Sequence, residues 1–221
     1  MKFRANLLKL IFPMFCLIVL LSGKAAATPV LLKEVGLSSG LYVGSLSLPI
    51  ASSPQNYFAG LQKLQIDNSA TVLGFCIDPF QWAPTSNVSY DVNSNFNAYF
   101  GADAADVSKL YSLFYNSTLG NNLNAAGFQL ALWELIADGN KNLAADLVRT
   151  SSATDATIKA KAQSMLDALS GSAGGDQFSY KLYTSSTNQD YLVVKQVPEP
   201  AGFALLGIAL VAGVLVSRRR A

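Results

Sequence analysis

The chain has 221 residues, of which 51% are hydrophobic and 14% charged, with 16 lysines and arginines against 14 acidic residues, two cysteines and no histidine. Its length suits one domain. Without histidine there is no Ser-His-Asp triad, Cys-His pair or imidazole-held metal; carboxylates, amines, hydroxyls and two thiols remain to carry chemistry, and the sequence calls for no metal or cofactor.

Residues 1–27 combine Lys2, Arg4 and Lys9, an apolar run from Leu10 to Leu21, and small residues ending in Ala25-Ala26-Ala27. This pattern predicts a signal peptide cut by signal peptidase after Ala27, since the apolar run is short for a membrane span. The expected domain covers 28–197. From Val30 to Leu48 the sequence alternates like a strand, and Tyr57 to Ile66 is open between strand and helix. Thr71 to Asp78 reads as a buried strand that Pro79 ends, and the Asn, Ser and Pro residues from 84 to 95 read as an exposed loop.

Three helices are predicted next. The first runs from Asp103 to Tyr115, with Val107, Leu110, Tyr111 and Phe114 on one face. The second runs from about Leu123 to Ala137, capped by Asn121 or Asn122 and stopped at Asp138-Gly139-Asn140. The third runs from about Thr154 to Leu169, with Ile158, Ala162, Met165 and Leu169 inward. Residues 177–183 and 191–197 return to strand character as a hairpin. The order implies an α+β domain, a β-sandwich or barrel-like sheet with a helical subdomain of about three helices.

Signal-peptide removal takes Cys16 and leaves Cys76 as the sole thiol of the expected domain. An unpaired cysteine in an exported protein is a core thiol, half of an intermolecular disulfide, a leftover, or a reactive group. Fifty-three residues on lies Gln129, which shares a helix face with Leu132, Trp133 and Ile136. A buried amide on such a face needs partners or loses a few kcal/mol in desolvation. One compensation is covalent: attack of the Cys76 thiolate on the Gln129 side-chain carbonyl, expelling ammonia, forms an internal thioester.

The segments Phe75-Cys76-Ile77-Asp78 and Phe128-Gln129-Leu130-Ala131-Leu132-Trp133 resemble the thioester domains of bacterial surface adhesins. The resemblance spans about Leu41 to Asp138. It implies that Cys76 and Gln129 form the bond, with Phe75, Phe128 and Trp133 as shield and support. An incoming amine would then take the acyl group and release the thiolate, in one turnover and without enzymatic recycling. With no imidazole to act as base, amines are expected over sugar hydroxyls. Asp78 and Glu134 are the nearby carboxylates that could handle a proton, and each is equally readable as a solvated or capping residue.

At the C-terminus, Val197-Pro198-Glu199-Pro200 precedes seventeen uncharged residues, Ala201 to Ser217, and then Arg218-Arg219-Arg220. A span of that length barely crosses a bilayer, and its arginines stay cytoplasmic. This tail, residues 198–221, resembles the PEP-CTERM sorting signal of Gram-negative bacteria, with Pro198, Glu199 and Pro200 as the motif and the arginines as the membrane stop. The resemblance implies exosortase processing, a transient inner-membrane anchor and delivery to the cell surface or extracellular matrix. Residues 28–197 alone hold nine basic and thirteen acidic side chains; nucleic acid is not an expected partner. The sequence thus points to covalent adhesion to amine-bearing surface or matrix molecules. The alternative is a non-reactive structural protein of an exopolysaccharide or biofilm matrix, with a buried free cysteine.

Overall fold

The computed structural model describes residues 28–197 except 70, 138, 145–146, 151–154 and 172–176. The expected signal peptide, the motif Pro198, Glu199, Pro200, the C-terminal span and Arg218, Arg219 and Arg220 lie outside the described residues. Among the described residues no helix is long and apolar enough to cross a membrane.

The strands are β1 (Val30–Ser47), β2 (Gln55–Ile66), β3 (Thr71–Cys76), β4 (Val88–Asn93), β5 (Arg149–Thr150), β6 (Phe178–Thr184) and β7 (Tyr191–Gln196). They pair in the order β2-β3-β7-β6-β4-β1-β5, and β1 also pairs with β2. All the pairings are antiparallel, so six strands close into a ring and the two-residue β5 adds to the far end of β1. The 18-residue length of β1 makes closure geometrically available: Leu32 faces Ile66 of β2 on one side and Val88 of β4 on the other. Closure removes sheet edges that would otherwise template aggregation.

Inside the ring, Leu32, Leu64, Tyr90, Tyr183 and Tyr191 form a small core, with Val72 of β3 packed against it. The lumen is therefore filled with side chains, as expected of a small barrel. A larger core joins the outer sheet face to the helices α1 (Phe96–Phe100), α2 (Ala104–Thr118), α3 (Asn122–Ala137) and α4 (Ala156–Ala168). The α+β, barrel-like reading agrees with this architecture.

β2 was ambiguous because four consecutive residues, Ala59, Gly60, Leu61 and Gln62, are buried, and a strand covered on both faces loses its alternation. The expected loop over 84–95 is corrected: it contains β4, where Tyr90 is buried between exposed Ser89 and Asp91. The Asn and Ser richness there hid a half-buried strand. Gly40 and Gly60 face each other across β1 and β2. A Cβ on either would lie 2.3 Å from the opposite strand's carbonyl oxygen, so this close backbone approach admits only glycine.

Asn121 is the cap of α3, its Oδ1 accepting from Asn124 N at 2.9 Å. Gly139, at φ +66°, turns the chain after the helix and donates to Glu134 O at 3.0 Å. Residues Ala125 through Leu135 are buried without interruption. The predicted inward stripe therefore understates α3, which is a central helix covered on every side.

Candidate functional site

β3 and α3 meet at Cys76 and Gln129. Along a strand, successive residues direct their N–H and C=O groups to opposite neighbours. Gly74 faces β2, where the pairing of β2 with β3 ends, and the Ile77 N–H donates to Asp190 O at 2.9 Å on the β7 side. The backbone of Cys76 consequently turns toward the side that β2 has left. There the Gln129 amide takes the place of a strand: Cys76 N donates to Gln129 Oε1 at 3.2 Å, and Gln129 Nε2 donates to Cys76 O at 2.8 Å.

One helical turn later on the same face, the Trp133 indole Nε1 donates to Cys76 Sγ at 3.2 Å. The thiol in turn donates to Asp78 O at 3.5 Å. Cys76 and Gln129 are fully buried and Trp133 is nearly so. Burial pushes the thiol far above its usual range; the Asp78 and Asp190 carboxylates add to that, and the Trp133 and Asp78 hydrogen bonds oppose it. Phe75 and Phe128 pack against each other at 4.5 Å between ring centroids, and Tyr111 meets Phe128 edge-on at 4.9 Å. The five residues Phe75, Cys76, Phe128, Gln129 and Trp133 are thus gathered in one buried region.

The two carboxylate candidates part company. Asp78 stays beside the thiol, but its Oδ1 accepts from Phe80 N at 2.8 Å, holding the turn through Pro79. Its carboxyl is raised by burial. Glu134 follows Trp133 on the helix and so aims about 100° away from it. Its Oε1 accepts from Asn142 N at 2.7 Å, clamping the loop after α3.

Asp190, immediately before β7, was not singled out from the sequence because nothing local marks it. It stands beside Cys76 only because β3 and β7 pair, and its Oδ2 accepts from Tyr99 OH at 2.8 Å while Oδ1 accepts from Ser185 N at 2.7 Å. Its carboxyl is pushed up to about 6, first by burial and further by the charge of Asp78, against the two hydrogen bonds. A carboxyl raised in the fold favours the native state below its unfolded value of about 4, and that advantage is lost as pH rises through about 6. Urea unfolding is therefore expected to show stability falling between about pH 4 and 6.5, and Asp190→Asn to flatten the slope. Asp78 and Glu34, also raised by burial, keep a residual slope of the same sign. An unchanged slope in Asp190→Asn would exclude this assignment.

Residues 196–220 match the model of the PEP-CTERM protein-sorting motif. No curated protein sequence gives a significant match. Among solved structures, the chain is similar to the N-terminal domain of the Streptococcus pyogenes pilus tip adhesin Cpa, at 16% identity and a TM-score of 0.42, over 74% of this chain and 99% of that one. It is also similar to the N-terminal thioester domain of a surface protein from Clostridium perfringens, at 15% identity and a TM-score of 0.43, over 77% of this chain and 100% of that one.

Proposed function

We propose that this is an exported surface or extracellular-matrix protein in which Cys76 and Gln129 form an internal thioester that captures amine-bearing partners covalently. The sorting motif at residues 196–220 supports export and exosortase processing. The reactive reading is carried by one observation: the Gln129 amide is clamped on the Cys76 backbone while Trp133, on the same helix, holds the sulfur.

The chemistry follows from that clamp. As sulfur attacks the Gln129 side-chain carbon, negative charge develops on Oε1, where the Cys76 N–H already donates. The C–N bond breaks, and the thiol proton leaves with the nitrogen as ammonia. In the second reaction an amine attacks the same carbon and the C–S bond breaks. One amine proton ends on the Cys76 sulfur, and Gln129 keeps the partner through an amide. The Trp133 N–H eases departure of the sulfur by stabilising developing thiolate. Burial keeps bulk water from the activated acyl group. The protein is spent after one reaction, so it is a tether and not an enzyme.

A specific observation favours the second reading, a non-reactive matrix protein. Both sides of the Gln129 amide are already hydrogen-bonded and burial holds the thiol protonated, so the pair is also stable uncombined. Intact mass separates the two. The thioester form is one ammonia lighter than the processed sequence, and methylamine adds its own mass while releasing one titratable thiol. An undiminished mass in folded protein leaves only the second reading standing.

A further inference from the structure

A cleft of about 220 Å³ opens beside Trp133, between β1, β2 and the segment following Asp78. The indole that holds the Cys76 sulfur is also a wall of this cleft, so Trp133 partitions the buried thiol from outside space. Tyr57 and Trp82 stack at 5.8 Å between centroids along another wall, and Trp82 is 55% exposed at the mouth. Glu34 is the one charged side chain among the described residues that line the cleft.

The unpartnered polar atoms of the cleft lean toward acceptors. Gln62 is 6% exposed, yet its Oε1 has no hydrogen-bond partner among the described residues; neither do Gln81 Oε1 and Tyr57 OH. Buried amide oxygens left without a donor are unfavourable. Together with the Glu34 carboxylate these groups ask for a donor-rich occupant. A sugar ring presents acceptors as often as donors, whereas an ammonium presents three donors and no acceptor. Aromatic faces attract a cation through the ring quadrupole and also cover an aliphatic stem. Burial raises the Glu34 carboxyl, which an ammonium beside it would reverse.

We propose that this cleft docks the ammonium of a lysine-type alkylamine against Glu34, the Tyr57–Trp82 stack and the Gln62 carbonyl, and thereby selects the amine that reaches the site behind Trp133. The selection role rests on the thioester reading, but docking does not, and the two are tested apart.

Docking is measured on the Cys76→Ser chain, which cannot form a thioester and keeps an acceptor for the Trp133 N–H. Nα-acetyl-lysine methylamide is expected to bind saturably by calorimetry, whereas the norleucine analogue and glucose, which carry no ammonium, are not. Glu34→Gln, which preserves shape, and Trp82→Ala, at the exposed mouth, should each weaken binding about tenfold. Absence of saturable binding overturns the proposal, as does equal binding of the norleucine analogue or glucose, or indifference to both substitutions. In the Cys76 protein, Glu34→Gln should slow incorporation of the lysine derivative about tenfold and that of hydroxylamine, which is uncharged at neutral pH and cannot pair with Glu34, much less. Equal slowing of both nucleophiles overturns selection by the cleft. A missing ammonia deficit refutes the thioester while the calorimetry still decides docking.

Discussion

Gln129→Ala is expected to abolish the proposed amine incorporation and also to destabilise the fold by roughly 2–5 kcal/mol, because it strips the partners from two buried backbone groups at once. Cys76 N and Cys76 O both depend on the Gln129 amide for the hydrogen bonds described above. The flanking residues Phe75, Ile77 and Phe128 are fully buried, so both groups sit away from bulk water. Cys76→Ala is also expected to abolish incorporation, at a smaller cost of about 1–3 kcal/mol, because it leaves the Trp133 N–H without its acceptor and the Asp78 carbonyl without a long sulfur donor, while both backbone groups of Cys76 keep theirs. Urea unfolding combined with intact mass after incubation with methylamine reads both effects. If Gln129→Ala were as stable as Cys76→Ala, the amide would not be completing the sheet in the way the geometry describes.

Trp133→Ala has the second large effect, a loss of about 3–5 kcal/mol, the usual range for deleting a buried aromatic side chain. Trp133 is 2% exposed and stands between the Cys76 sulfur and the cleft. Removing it opens the site to water, so the acyl group of the proposed thioester is expected to hydrolyse, and the mass to show a carboxylate at position 129 together with a free thiol. Trp133→Phe separates the two roles. It retains most of the volume and the partition but withdraws the N–H from sulfur, so stability should fall less and amine capture should slow without wholesale hydrolysis. Denaturation midpoints and time-resolved intact mass measure the difference, and equal hydrolysis in both variants would show that the indole N–H, and not the bulk of the ring, seals the site.

The legible parts of the fold were those whose pattern is local. α2, α3 and α4 follow from apolar spacing with recognisable starts and stops, such as Asn121 and Gly139 for α3. The hairpin of β6 and β7 announces itself through two apolar runs and a polar turn. β4 was missed because Asn and Ser are turn formers by propensity, and only pairing with β1 and β6 makes a strand of that segment. Ring closure was equally invisible, since nothing in Leu32 says that it will have a neighbour on each side.

The site divides along the same line. Cys76, the apolar helix carrying Gln129 and Trp133, and the absence of histidine are one-dimensional facts, and they determined which groups were available. Tertiary structure decided how those groups are used. It set the Gln129 amide onto the backbone of Cys76 where β2 departs, sent Glu134 to the Asn142 loop, and brought Asp190, distant in sequence, beside Cys76 through the pairing of β3 with β7. The physical reason is that residue type and helical spacing are properties of the chain itself, whereas desolvation, strand register and hydrogen-bond partnership exist only between segments distant in sequence.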